Sequence, residues 1–193
     1  EESGIIHFTA RGFYPDQDPY FIHHFKINTD GSGLVPLTVG NGTHEIRTIK
    51  VKSGAEFVID KYSRIDMAGI TELRNADTGK LVVKLQEVDI SQLLETGWRY
   101  PEVFRAKGRD GQTDIWGMVV KPRDFDPRYT YPVIEYIYAG PHDSHVPKRF
   151  TTMMRMIQLA ELGFISVMVD GMGTANRGKA FHDVCWQNLA DAG

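Results

Sequence analysis

Two apolar runs flank one amphipathic segment in the second half of the chain, and that order leaves few folds open. Val133-Ile-Glu-Tyr-Ile-Tyr138 reads as a buried strand, entered from a loop that holds Pro122 and Pro127. Thr151 to Leu162 reads as an amphipathic helix. Thr151, Arg155, Gln158 and Glu161 make its polar face, and Met153, Met156, Ile157 and Ala160 its apolar one. Gly163 supplies the left-handed residue that ends such a helix. Phe164-Ile-Ser-Val-Met-Val169 is almost continuously apolar, as strands covered on both faces are. Strand, helix and strand in this order make one crossover unit of an α/β sheet.

A hairpin precedes that unit. Glu102–Lys107 and Asp114–Lys121 flank the turn sequence Gly108-Arg-Asp-Gly111. Before it, Ser91-Gln-Leu-Leu-Glu-Thr-Gly97 reads as a short linking helix over residues 91–98. Residues 1–90 carry another pattern, in which short β-prone runs alternate with turns. The runs are Gly4–Ala10, Tyr20–Ile27, Leu34–Val39, Glu45–Val51, Ala55–Lys61, Gly69–Leu73 and Lys80–Leu85. They predict an antiparallel meander. The runs also repeat, since Gly4 and Gly54 are 50 residues apart and Asp30 and Asp77 are 47 apart. A period in that range, with about four strands per unit, is that of a β-propeller blade. One blade and part of another cannot close a ring, so this half is expected to be the end of a larger propeller.

Composition narrows the function. A net charge of −3 gives no basis for nucleic-acid or anionic-membrane binding. No apolar run approaches the roughly 20 residues of a membrane span. No signal peptide is visible, and Glu1 follows no initiator methionine, so the native N-terminus is expected elsewhere. Cys185 is the single cysteine, which excludes an internal disulfide and a cysteine-only zinc site. Asn41-Gly42-Thr43 is a glycosylation acceptor sequence.

The order of blades, linking helix, hairpin, Tyr131-Pro-Val-Ile-Glu-Tyr-Ile-Tyr-Ala-Gly-Pro141, helix and Val169-Asp-Gly-Met-Gly-Thr174 resembles the prolyl oligopeptidase family, and within it the dipeptidyl peptidase IV branch. The resemblance covers nearly the whole chain. It implies terminal β-propeller blades over residues 1–90 and the N-terminal part of an α/β-hydrolase sheet over residues 99–193. It implies a serine peptidase that takes dipeptides from peptide N-termini, preferring proline or alanine second. Endopeptidase and acylaminoacyl peptidase activities stay open. In the family a strand-to-loop tyrosine donates its hydroxyl to the oxyanion hole, and the motif carries that role to Tyr138. Tyr136, two residues earlier, shares its side-chain direction and is read as packing. Nucleophile, acid and base find no match. There is no Gly-x-Ser-x-Gly elbow, and the resemblance puts the triad beyond Gly193. The chain by itself is therefore expected to be inactive. No metal and no organic cofactor are implied. The implied partner is a peptide substrate, and the family allows a homodimeric parent placed in the periplasm or outside the cell.

The sequence departs from the family at Met172, where an arginine usually follows Asp-Gly, and Arg177 is the nearest substitute. Asp170 reads as a structural strand-end residue, because the triad acid of this fold comes after the nucleophile. Gly173-Thr-Ala-Asn-Arg-Gly-Lys179 approaches a phosphate loop, but Ala180 stands where a magnesium-binding hydroxyl is needed. His142-Asp-Ser-His145 and His182-Asp183 offer metal-ligand types without a metalloprotease spacing. Cys185 lies three residues from His182 but on no nucleophile elbow. A non-catalytic binding module with a degenerate hydrolase domain is the remaining alternative.

Overall fold

The computed structural model describes residues 4–191. Two compact units divide the chain, one ending at Asp89 and the other starting at Ile90.

The first unit is built of strands. β1 (Ile5–Ala10), β2 (His23–Asn28) and β3 (Val35–Pro36) make a three-stranded antiparallel sheet. β4 (Thr43–Lys50), β5 (Glu56–Arg64), β6 (Met67–Asn75) and β7 (Leu81–Glu87) make a four-stranded antiparallel meander. The repeat in the sequence is a repeat in space. β1, β2 and β3 follow each other as β5, β6 and β7 do, with matching turns. In one turn Gly31 N–H donates to the Asn28 carbonyl at 2.9 Å, and in the other Gly79 N–H donates to the Asn75 carbonyl at 2.9 Å. The side chain that braces the turn differs. Asp30 Oδ1 accepts the Ser32 amide, whereas Asn75 Oδ1 accepts the amides of Asp77 and Thr78. Gly79 is required twice over. Its φ is +68°, and a Cβ there would come within 2.0 Å of the Pro36 carbonyl oxygen.

One strand is shorter than its sequence suggests. Leu34–Val39 is expected to be a strand throughout, yet the regular register with β2 covers Val35–Pro36 alone, with one further bond from the Leu37 amide to the His24 carbonyl at 2.8 Å. Pro36 has no N–H to give, and β3 lies at the sheet edge, where such a residue is tolerated.

The buried side of the four-stranded sheet is partly ionic. His44 Nδ1 lies 2.7 Å from Asp60 Oδ1, and His44 Nε2 lies 2.7 Å from the Gly40 carbonyl. Arg74 Nε donates to Asp60 Oδ2 at 3.1 Å, its Nη1 to the Gly79 carbonyl at 3.0 Å, and its Nη2 to Glu72. Period two puts Val58 and Asp60 on one face of β5 and Glu72 and Arg74 on one face of β6. Tyr62 donates to Glu72 at 3.4 Å. Its hydroxyl pKa is pushed up to about 12 by burial and by the charges of Glu72 and Asp60.

His23 borders this cluster, its ring 4.7 Å from that of His44. Its Nε2 meets Gln17 Oε1 at 2.9 Å, and only 2% of the residue is exposed. Burial, and then repulsion from His44, pull its pKa down from 6.5 to about 4. The folded unit therefore refuses a proton that the unfolded chain accepts below pH 6.5. Stability should fall as pH drops through that window, by about 3 kcal/mol in all. Urea titrations at pH 7 and pH 4.5 should show the loss, and His23→Gln should remove most of it relative to the parent sequence. Equal slopes in the two proteins would assign the acid lability to other groups.

The second unit is mixed. α1 (Ser91–Glu95) ends at Gly97, whose φ is +84°. β8 (Glu102–Lys107) and β9 (Asp114–Val120) form the hairpin. Asp110 braces its turn by accepting the amides of Gln112 and Thr113. β10 (Val133–Glu135), α2 (Arg155–Glu161) and β11 (Ile165–Asp170) form the crossover unit, with β10 and β11 parallel. α3 (Lys179–His182) and two short 3₁₀ turns follow. The sheet order is β10-β11-β9-β8, so β11 is inserted between the crossover partner and the hairpin. α2 packs on β11 and β9 and buries Met156 and Ala160.

Two expectations are corrected here. The 133–138 run is not a buried strand. It pairs with β11 alone, stops at Glu135, and leaves Val133 and Ile137 more than half exposed, because β10 is an edge of this sheet. The helix is also shorter than Thr151–Leu162. Met154 is extended and Thr151 Oγ1 caps the Met153 amide instead, so Met153 lies outside the helix and is 91% exposed.

Candidate functional site

Everything that the sequence singled out in this half gathers beyond the C-terminal ends of β10 and β11, where parallel sheets place their ligands. Regular pairing in β10 ends at Glu135, but Tyr136 N–H still donates to the Val167 carbonyl at 2.9 Å. The chain keeps its two-residue alternation past that point. Glu135, Ile137 and Ala139 face a cavity of about 620 Å³ that also touches Gly171, Met172 and the hairpin turn at Arg109. Tyr136 and Tyr138 face the other way, onto His145.

Tyr138 is 41% exposed, and its hydroxyl makes no hydrogen bond among the described residues. Its ring is not loose. It stacks on the His145 imidazole with centroids 5.3 Å apart and planes 28° apart. It also closes on Gly140, where a Cβ would lie 2.8 Å from the phenol Cζ. Between them Ala139 has a φ of +50°, an uncommon conformation for a residue with a Cβ. The Tyr-Ala-Gly-Pro element thus turns sharply and needs its glycine for a side-chain reason.

The following loop is tied down along its length. His182 Nε2 lies 2.9 Å from the Pro141 carbonyl. The Ala175 amide donates to the Asp143 carbonyl, and Asn176 Nδ2 donates to both Asp143 Oδ1 and Ser144 Oγ. Asp170, buried at the end of β11, accepts the amides of His145 at 2.5 Å and Val146 at 3.1 Å. Burial raises the Asp170 pKa, and the two donated amides oppose that rise. Its position suits a clamp on backbone rather than a base.

The other sequence candidates are occupied in ways that explain them. Arg177, the nearest cation to Met172, donates to the Asp114 carbonyl at 2.9 Å and covers the Phe181 ring. Lys179 of the phosphate-loop-like stretch pairs with Asp183 at 2.5 Å. The Cys185 thiol is buried and donates to the His182 carbonyl at 3.1 Å, not to the imidazole. Among the described residues, no three His, Cys, Asp or Glu side chains converge as a metal site. No described helix is long and apolar enough to cross a membrane. Sequence reasoning missed His145 as a neighbour of Tyr138. Its only sequence signal is the short spacing from the tyrosine, which fixes no contact.

Propeller-type blades followed in sequence by the opening of an α/β-hydrolase sheet define the class of architecture. The comparisons agree. The crystal structure of Porphyromonas gingivalis dipeptidyl peptidase 4 superimposes with a TM-score of 0.73 at 23% identity, covering 98% of this chain and 26% of that one, and shows the fold. A profile of the prolyl oligopeptidase family matches residues 150–193. "Probable dipeptidyl-aminopeptidase B" of Emericella nidulans is 28% identical over 188 residues, 96% of this chain and 20% of the relative. Human "Dipeptidyl peptidase 8" is 37% identical over 83 residues, 42% of this chain and 9% of the relative. These likenesses support the prolyl oligopeptidase family, and within it the dipeptidyl peptidase IV branch, as what the chain is similar to. It spans about a fifth of the length of the dipeptidyl-aminopeptidase B relative, which is matched over 20% of its residues.

Proposed function

We propose that the chain is part of a serine peptidase that removes dipeptides from peptide N-termini, with proline or alanine second. Residues 1–90 are the end of its propeller, 91–98 the link and 99–193 the start of its hydrolase domain. The observation that carries this reading is Tyr138. A phenol hydroxyl with no hydrogen-bond partner among the described residues is held at the C-terminal end of a parallel strand by a stacked ring and a glycine.

Peptide hydrolysis builds negative charge on the scissile carbonyl oxygen. A donor already in place stabilises that charge without reorganising as it forms. Tyr138 is proposed to supply such a donor. The chain contains no Gly-x-Ser-x-Gly elbow, so nucleophile, base and acid are assigned to residues outside it. The chemistry draws on no metal and no organic cofactor. The substrate is a peptide, and the whole enzyme is proposed to act as a homodimer.

The test is fluorophosphonate labelling of the whole protein, with turnover of an aminoacyl-proline anilide measured alongside. The whole protein should label and turn over, and the 193-residue chain should do neither. A whole protein that fails to label would leave the binding-module reading in its place. Turnover by the 193-residue chain would refute the assignment of the triad to residues outside it.

A further inference from the structure

The geometry points to His145 as a positioning residue for the Tyr138 hydroxyl, set in place by Asp170; the inference rests on the oxyanion role given to Tyr138 above. A phenol that is 41% exposed and makes no hydrogen bond among the described residues has no polar contact there to fix its rotamer. What fixes it is contact with the ring. His145 stacks on it at 5.3 Å, and the imidazole meets Tyr136 on a second side at 5.4 Å. Neither ring nitrogen of His145 is bonded in the described residues, so the side chain is not held by its own polar atoms.

His145 is held by its backbone. The buried Asp170 carboxylate takes its amide and that of Val146. Asn176, with φ at +72°, ties the two residues before it. His182 holds Pro141 at the loop's start. Such a many-point clamp on a six-residue loop makes the imidazole a fixed wall. It also gives a function to a buried carboxylate that the hydrolytic chemistry does not use. An oxyanion donor displaced by about 1 Å loses much of its effect, so the wall matters to rate.

The experiment uses the whole enzyme. His145→Ala should lower kcat about tenfold with KM little changed. His145→Phe keeps a flat ring at the position and should return kcat to within about threefold of the parent. In a Tyr138→Phe background, His145→Ala should cost almost nothing more, since the group it positions is gone. In the whole enzyme, ring carbon resonances of labelled tyrosine should show the Tyr138 signal moving in both His145→Ala and Asp170→Asn. An unchanged kcat in His145→Ala, beside a large loss in Tyr138→Phe, would overturn the positioning role and leave the oxyanion reading intact. A His145→Ala loss that persists undiminished in the Tyr138→Phe background would overturn it as well. A neutral Tyr138→Phe would overturn both readings at once.

Discussion

Phenylalanine in place of Tyr138 is expected to lower kcat of the whole peptidase about a hundredfold or more, equivalent to roughly 3 kcal/mol of lost transition-state stabilisation. The substitution removes one oxygen and keeps the ring, so the stack on His145 and the contact with Gly140 survive. The hydroxyl has no partner among the described residues, so its loss leaves no polar group stranded. KM should move little, because the proposed donor would act on charge that develops only as the bond forms. Tyr136→Phe is the control. Tyr136 shares the same wall of His145, yet its backbone is still bonded to β11, one pleat further from the strand's end. Its variant should stay within about threefold of the parent. Steady-state hydrolysis of an aminoacyl-proline anilide reads both. A large loss in Tyr136→Phe with none in Tyr138→Phe would move the oxyanion role to the wrong-numbered tyrosine and sink the present assignment.

How far the sequence reached can be seen from particular residues. The turns were legible because their chemistry is local. Asn28 to Gly31 and Asn75 to Gly79 announce left-handed glycines and side-chain caps within a few residues. The crossover unit was legible because apolar periodicity changes from strand to helix and back, and β10, α2 and β11 followed. The role proposed for Tyr138 rests only on the resemblance carried by its motif. Nothing in a tyrosine at a strand end fixes its orientation, and the turn at Ala139 has no signature beyond the glycine after it. The 133–138 run is exposed despite its apolar pattern for a physical reason. An apolar run signals that a strand suits a covered position, but the sheet order decides which strand is an edge, and β10 is one. The charged interior of the first unit was least legible. Asp60, Glu72 and Arg74 look like the solvent face of alternating strands, and only the three-dimensional meeting of β4, β5 and β6 shows that they are inside.

That interior carries the largest expected effect on stability. Asp60 is fully buried and bonds two groups at once, His44 through Oδ1 and Arg74 through Oδ2. His44 is 1% exposed and Arg74 is 4% exposed, so neither can turn to water if the carboxylate is taken away. Asp60→Ala should therefore destabilise the first unit by about 3 kcal/mol, since His44 loses its carboxylate and Arg74 keeps only Glu72 and the Gly79 carbonyl. Glu72 also contacts Arg74, but it already serves Tyr62 and cannot reach His44 in place of Asp60 without leaving both. Asp60→Asn keeps the shape and one acceptor, and should fall between the parent and the alanine variant. Urea denaturation of the 193-residue chain measures the sum, and amide hydrogen exchange along β4, β5 and β6 locates it. Arg74→Met together with Glu72→Gln in the Asp60→Ala background should recover part of the loss, since the pair of changes removes the remaining buried charges and leaves neither partner stranded. If Asp60→Ala costs less than about 1 kcal/mol, water must enter and solvate His44 and Arg74, and the cluster is not the closed ionic core described above.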